Sequence, residues 1–497
     1  MRRCPSLPAH ITGLTLAVAG AGILVSALVE VLVGGPDTLA LILTGTPVTT
    51  AGVALWWATR VPDRIHLLGV FSTVTVAWVA LAVAGALPYL TTGSLPSFDD
   101  AVFESISGFT TTGATVLRPV ESASLGLLFW RSITQWIGGM GVIVLVVAVL
   151  PTIGTGGFDL LEAEAPGPAG ERLTPRVRHT AARLWGVYVG FTMVLALAYG
   201  VAGMNLYDAV SHSFTTVSTG GFSPYNRSLG HFESAAIEWI AIVAMFLAGG
   251  SFTLYYRALR GSVGPLLTSV EFRFYLTLVL AMGVIVHLTA DPATSGHQSI
   301  RDAFFAVTSV MSTTGYGSAD FAQWSHAAQA FLLLAMPVGA MAGSTAGGVK
   351  MVRVLAVASF AHRATLRQLH PKLVRPVRVG ANVLDESVTN KVLGFLVLAL
   401  ATFGGASLLI ALTGADIVTS LSVAATTFGN VGPGLGEAGP ASDFLVLPRP
   451  ARWVGALTML LGRLEIYPIL LALAALPQPW RRWRHYRQRL VDLTRAR

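Results

Sequence analysis

Long apolar runs make up most of this chain, and four short polar tracts centred on glycine interrupt them. The tracts are Thr110-Thr111-Thr112-Gly113, Ser218-Thr219-Gly220-Gly221, Thr313-Thr314-Gly315-Tyr316-Gly317 and Asn430-Val431-Gly432-Pro433-Gly434. Each follows a segment able to form a short helix and precedes another apolar stretch. With Gly113, Gly220, Gly315 and Gly432 taken as equivalent points, the unit recurs at a loose period of roughly 100 residues, which suits a helix–loop–helix membrane module. The apolar runs repeatedly reach the ~20 residues that span a bilayer. Ten spans are expected, near 11–33, 38–58, 65–90, 124–151, 181–203, 234–257, 273–290, 327–360, 388–413 and 446–476, with four re-entrant helices between pairs of them. Polar backbone at membrane depth is tolerated only where it is buried in protein or lines a watery path. The predicted fold is therefore an all-α polytopic membrane protein, with four helix–pore loop–helix repeats around one central pore and two extra N-terminal transmembrane helices.

In this division residues 1–60 hold the two N-terminal helices. The repeats cover 61–158, 176–262, 270–362 and 386–478, and a basic tail covers 479–497. The linkers over 160–175 and 361–381 are too short for independent domains. The Arg-rich tail, with interleaved Trp and Tyr, reads either as a segment that lies on anionic membrane lipid or a partner, or as a solvated tail.

Composition narrows the functional classes. With 53% hydrophobic and 12% charged residues, the chain is unlike a soluble protein. Cys4 is the single cysteine, which rules out an intrachain disulfide and a multi-cysteine metal site. Arg2 and Arg3 precede the first apolar run as in a signal peptide, but that run is long and a second span follows directly, so a retained helix is expected. The net charge of +8 comes largely from loops on one side of the ten spans. That side is read as cytoplasmic, with both termini on it and the glycine tracts opening outward. The same bias accounts for the charge without nucleic-acid binding. No zinc motif, nucleophile elbow or dinucleotide fingerprint is present, so the chain is not read as an enzyme.

A dehydrated monovalent cation needs several close oxygen ligands without full countercharges, and backbone carbonyls meet that need. Thr313-Thr314-Gly315-Tyr316-Gly317 and Asn430-Val431-Gly432-Pro433-Gly434 have the shape of the potassium-channel filter sequence Thr-Val-Gly-Tyr-Gly. Thr111-Thr112-Gly113 and Ser218-Thr219-Gly220 are shorter versions. The candidate potassium-binding residues are thus Thr111, Thr112, Gly113, Ser218, Thr219, Gly220, Thr313, Thr314, Gly315, Asn430, Val431 and Gly432. In the fourth tract, counting from Asp416 selects Gly429 instead, whereas the Asn-Val-Gly-Pro-Gly shape selects Gly432. Asp100, Asp208, Asp302 and Asp416 are expected to cap the re-entrant helices, leaving each helix's partly negative end facing a tract.

These tracts, together with Trp130-Arg131-Ser132-Ile133-Thr134-Gln135-Trp136-Ile137-Gly138-Gly139 and Leu461-Gly462-Arg463-Leu464-Glu465-Ile466-Tyr467-Pro468, carry a resemblance over nearly the whole chain. The sequence resembles the Trk/Ktr/HKT superfamily of cation transporters, and most of all the membrane subunits of bacterial Trk potassium uptake systems. The resemblance implies four repeats around one pore, a homodimer, and a cytosolic ring of TrkA-like nucleotide-binding regulatory proteins. It implies potassium as the transported ion and no organic cofactor on this chain, in the cytoplasmic (inner) membrane of a bacterium. A sodium-permeable or sodium-coupled member of the superfamily is the alternative. An alternating-access solute transporter would instead show an inverted repeat.

Two further features read as a gate. Gly343-Ser344-Thr345-Ala346-Gly347-Gly348, followed by Val349-Lys350, weakens the expected span 327–360 through backbone entropy. Its glycines have phosphate-loop spacing, but Lys350 is one position late and Met351 replaces the required Ser or Thr. A close helix contact through small residues is the other physical reading. The resemblance implies an intramembrane loop below the filter. Arg463 lies within the last apolar span, where a charge faces a cavity or a partner. It is read as a pore-facing barrier, with a structural ion pair to Glu104 or Glu238 as the alternative.

Overall fold

The structure, a computed structural model, describes residues 4–62, 67–148, 174–290 and 297–475. Most of the linker over 160–175, the tail over 479–497 and the basic residues Arg2, Arg3 and Arg64 lie outside the described residues.

Helix α1 (Leu7–Val33) starts where the Ser6 side chain accepts the Ala9 N–H, and it ends at Gly34 in a left-handed conformation, φ 69°. It packs along α2 (Thr38–Ala58) through small residues, as intramembrane helix pairs do. A Cβ on Gly13 would stand 2.5 Å from Trp56 N, and one on Gly52 would stand 2.4 Å from Ala17 N. A two-residue parallel bridge between β1 (Cys4–Pro5) and β2 (Thr59–Arg60) closes this pair. The buried Glu30 carboxylate then docks it onto the first repeat by accepting the Gly126 N–H at 2.6 Å.

The repeats follow in chain order. The first comprises α3 (Leu67–Thr91), the short helix α4 (Phe98–Phe109) and α5 (Leu125–Ala148). The second comprises α6 (Thr174–Val201), α7 (Leu206–Val217), α8 (Ala235–Ala248) and α9 (Phe252–Leu259), with the small helix α10 (Gly264–Thr268) after it. The third comprises α11 (Val270–Thr289), α12 (His297–Met311), α13 (His326–Ala335) and α14 (Met351–Leu369). A hairpin of β3 (Val377–Val379) and β4 (Asn382–Leu384) leads to the fourth. That repeat comprises α15 (Glu386–Ala411), α16 (Ile417–Gly429), α17 (Arg449–Arg463) and α18 (Tyr467–Ala475). Among the described residues, six helices are long and apolar enough to cross a membrane, and eight if each bent pair counts as one span. The all-α, four-repeat architecture expected from the sequence is the one observed.

Three expected spans are not continuous helices. The segment over 234–257 turns by 99° between α8 and α9, and that over 446–476 turns by 104° between α17 and α18. Between α13 and α14, residues 336–350 are not helical. Gly249-Gly250 opens the first break, and Glu465 and Ile466, with φ of 57° and 62°, open the last. The break between α8 and α9 and the segment between α13 and α14 satisfy each other's backbone groups. Met341 N–H donates to Gly249 O at 3.0 Å, and Phe252 N–H donates to Gly343 O at 3.1 Å. The Glu271 carboxylate accepts the N–H groups of Ala342 (2.8 Å) and Val352 (3.1 Å). Such pairing is what permits irregular backbone at membrane depth.

The helix starts correct the reading of the four aspartates. Only Asp416 is a cap, accepting the Thr419 N–H at 2.9 Å. Asn205 caps α7 and accepts from Asp208 N, α4 begins after Ser97, and Asp302 lies inside α12. Helices α4, α7 and α12 begin earlier than a cap at the acidic residue would require. Asp100 pairs with Arg452 and Asp208 accepts the Tyr225 hydroxyl, so both tie a helix end to a neighbouring element.

Candidate functional site

The four short helices α4, α7, α12 and α16 hand over to the glycine tracts through the same local geometry. At the end of each, a non-glycine residue adopts a left-handed conformation: Thr111 (φ 53°), Thr219 (54°), Thr313 (59°) and Asn430 (55°). The next N–H reaches back five residues. Thr112 donates to Ser107 O, Gly220 to Thr215 O, Thr314 to Ser309 O and Val431 to Thr426 O, at 2.8–2.9 Å. A glycine with positive φ follows: Gly113 (83°), Gly221 (77°), Gly315 (79°) and Gly432 (116°). Left-handed angles alternating with ordinary ones are accessible to glycine and strained for other residues. Four such backbones in one chain are held only because their surroundings fix them.

This geometry shifts one assignment by a residue. The second-tract equivalent of Gly113 is Gly221, not Gly220, which stands level with Thr112, Thr314 and Val431. In the fourth tract Gly432 takes the equivalent place, while Gly429 closes α16 beneath it.

The tracts close on one another. A Cβ on Gly113 would stand 2.3 Å from Gly220 O, on Gly221 1.9 Å from Thr314 O, on Gly315 1.8 Å from Val431 O, and on Gly432 2.7 Å from Thr112 O. The four carbonyls therefore alternate with the four glycines around a ring, in the order of the repeats and returning to the first. No side chain fits between neighbours at that level.

Buried side chains brace each tract from behind. On the first, Glu104 accepts from Thr115 Oγ1 and Val116 N, and it pairs with Arg131 at 2.8 Å. Arg131 also donates to Ser223 O (3.0 Å) and lies 4.0 Å over the Phe222 ring, so one guanidinium joins tracts one and two. His212, given no role from the sequence, reaches Ser223 Oγ at 3.1 Å. The Gln135 amide grips Gly220 O and Phe222 N. On the third tract Ser309 donates to Tyr316 O, and the Tyr316 hydroxyl contacts Thr215, Thr216 and His212 O on α7. On the fourth, Asn430 donates to Thr112 Oγ1 at 2.9 Å and to Met459 O at 3.0 Å. Arg131 and Gln135 are the tract-bracing residues that sequence reasoning passed over. Their signal was available, because polar residues inside an apolar span are functional candidates by default.

The non-helical segment over 336–350 lies directly beneath the ring. Gly347 N–H donates to Thr313 Oγ1 at 2.8 Å, and a Cβ on Gly347 would stand 2.3 Å from Gly429 O. Thr345 donates to Val217 O at 3.0 Å. Thr345 and Gly347 thus hold the Gly343–Gly348 loop against the ends of α7, α12 and α16, while Gly343 O accepts the Phe252 N–H and Gly348 packs on Gly339. Lys350 reaches back to Ala346 O at 2.6 Å. Arg463, buried at the end of α17, donates to Thr345 O at 2.7 Å and to Gly138 O at 3.3 Å. The ion pair considered for it is not formed. Glu104 binds Arg131, Glu238 binds Arg301, and the nearby Glu465 binds Arg353. Among the described residues, Arg463 bridges the loop to α5 through carbonyls alone.

A multi-pass membrane protein with four pore helices and a carbonyl ring on one axis belongs to the class of pore-forming ion-transport proteins. Residues 41–482 match the sequence model of the TrkH family, described as cation transport proteins, and the chain belongs to that family. It is a family of transporters, not of enzymes. The Trk system potassium uptake protein TrkH of Halomonas elongata is 39% identical over 83% of this chain and 86% of its own length. The protein of the same name from Vibrio parahaemolyticus is 36% identical over 95% and 98%. The crystal structure of the potassium transporter TrkH from Vibrio parahaemolyticus superposes with a TM-score of 0.86 at 33% sequence identity, covering 95% of this chain and 98% of that one.

Proposed function

We propose that the chain takes up potassium across the cytoplasmic membrane through a channel-like pore. Its selectivity filter is the ring formed by Thr111–Gly113, Thr219–Gly221, Thr313–Gly315 and Asn430–Gly432. The observation that carries this reading is the closed, in-order ring, in which each glycine abuts the next tract's carbonyl. Carbonyl oxygens crowded around one axis can replace the hydration shell of a monovalent cation without a carboxylate to trap it. Described relatives named as potassium uptake proteins support potassium as the ion. The membrane potential drives entry by about 2.3 kcal/mol per unit charge per 100 mV.

In this reading the loop Gly343–Gly348 is the gate, Arg463 is a fixed positive barrier that also pins the loop through Thr345, and Lys350 supports the loop from within. The tracts open outward and both termini are cytoplasmic. The chain works as a homodimer beneath which a TrkA-like nucleotide-binding ring acts on the loop. Isotopic rubidium and sodium uptake into proteoliposomes tests the function. Rubidium uptake that potassium competes and sodium does not is the expected result. Sodium flux equal to rubidium flux would point to the sodium-permeable alternative, and no flux of either ion at an imposed potential would overturn the pore.

A further inference from the structure

Gln135 is wholly buried on α5, facing the second tract. Its Nε2 donates to Gly220 O at 2.6 Å, and its Oε1 accepts the Phe222 N–H at 3.0 Å. The two bonds straddle Gly221, so the side-chain amide serves this tract as a neighbouring peptide would. The equivalent carbonyls of Thr112, Thr314 and Val431 accept no hydrogen bond among the described residues. One oxygen of the ring is therefore engaged by a side chain and three are not.

The same contact explains why the second tract carries two glycines. Thr112, Thr314 and Val431 occupy the other three places, and a Cβ on Gly220 would lie 2.3 Å from both Cδ and Oε1 of Gln135. The glutamine amide fills the space that a side chain takes in the other repeats. Gly220 and Gln135 are thus a matched pair. Arg131, one helical turn earlier on α5, holds Ser223 O and Phe222 and keeps the same stretch against the helix.

We propose that Gln135 is a specificity-determining residue of the cation path. By donating to Gly220 O it withdraws electron density from one ring oxygen and fixes that oxygen's position. The ring then presents three strong ligands and one weakened ligand, and a bound cation leaves more readily than from four equal ones. Conduction requires binding weak enough to release the ion. The proposal rests on the ring being the filter.

The test uses the full chain in proteoliposomes, with isotopic rubidium uptake competed by potassium or sodium and thermal stability measured on the same preparations. Three variants are compared: Gln135→Leu, Gly220→Thr, and Gln135→Ala combined with Gly220→Thr. Gln135→Leu keeps most of the volume and frees the carbonyl. It should lower the half-saturating potassium concentration by about fivefold, the effect of one hydrogen bond on a binding equilibrium, and slow maximal uptake. Gly220→Thr alone should lose uptake, and the added Gln135→Ala should restore it with tightened potassium binding, a non-additivity expected only of a contacting pair. Weaker potassium binding in Gln135→Leu, as a purely structural brace would give, overturns the proposal. So does an unchanged half-saturation. If Gln135→Leu does not fold, an unchanged half-saturation in the double variant overturns it instead. Gly315→Ala separates the two levels. If it loses potassium preference while Gln135→Leu does not change, the role of Gln135 fails and the filter stands. If neither changes, the filter reading fails.

Discussion

Replacing Gly315 by alanine should sharply weaken discrimination between potassium and sodium in a protein that still folds. Two costs act on the new methyl group. At φ 79° the backbone is left-handed, which costs an L-residue roughly 1–2 kcal/mol. The methyl would also stand 1.8 Å from Val431 O, where real contacts stop near 3.0 Å, so 1.2 Å of separation must be found. The obstacle is backbone, not the tip of a flexible side chain, and overpacking of this kind adds about 1–3 kcal/mol. Since about 1.4 kcal/mol is a tenfold factor, the preference for potassium should fall by about tenfold or more. The four positions should also rank by their clash: 1.8 Å at Gly315, 1.9 Å at Gly221, 2.3 Å at Gly113 and 2.7 Å at Gly432. Competing-ion flux on alanine variants at all four sites reads the order, and thermal stability in detergent shows that each protein is folded. Gly220→Ala belongs to a different class, because its obstacle is the Gln135 side chain. Wild-type selectivity in Gly315→Ala, or Gly432→Ala as the most damaging of the four, would refute the ring geometry as the origin of selectivity.

Arg463→Ala should raise cation flux, and Arg463→Lys should retain much of the barrier, because the guanidinium stays charged at every physiological pH. Since Arg463 binds the carbonyls of Thr345 and Gly138 and no carboxylate, its loss should cost less stability than the roughly 3–5 kcal/mol of breaking a buried ion pair; collapse of thermal stability without a gain in flux per inserted protein would exclude the barrier role. Shortening the loop within Gly343–Gly348 should raise flux with little change in ion preference, since the loop touches the ring only from below; lost flux in folded, inserted protein would favour a helix-packing role. Arg131→Met strands the Glu104 carboxylate and should lower stability by about 3–5 kcal/mol, seen as a reduced thermal midpoint, with loosened selectivity because Glu104 also holds Thr115 and Val116. An unshifted midpoint would show that the pair is dispensable.

Much of this protein is legible in its sequence because the membrane limits what polar backbone can do. Span-length apolar runs and four glycine-centred tracts at a loose common period were enough to predict two leading helices and four pore repeats. Local chemistry was equally legible where one residue type has one plausible use. Asn430-Val431-Gly432 aligned with the other tracts by shape, and an arginine inside an apolar span marked Arg463 as special.

Tertiary structure decided what depends on neighbours distant in the chain. Which of two adjacent glycines takes the positive-φ place of the ring and which supplies its carbonyl cannot be read from Gly220-Gly221, because the choice follows from the Gln135 amide, which occupies the Cβ space of Gly220. The span over 446–476 is long enough to be read as one helix although Arg463, Glu465 and Pro468 lie in it, and it turns at Glu465 and Ile466, whose left-handed backbone is not dictated by their residue types. Arg463 was expected either to face the pore or to meet Glu104 or Glu238. Those carboxylates are taken by Arg131 and Arg301, so the guanidinium turns to backbone carbonyls. Hydropathy and glycine placement act locally and are written along the chain. Registers, breaks and charge partners are settled by competition for the same buried atoms, which begins only when the four repeats close around one axis.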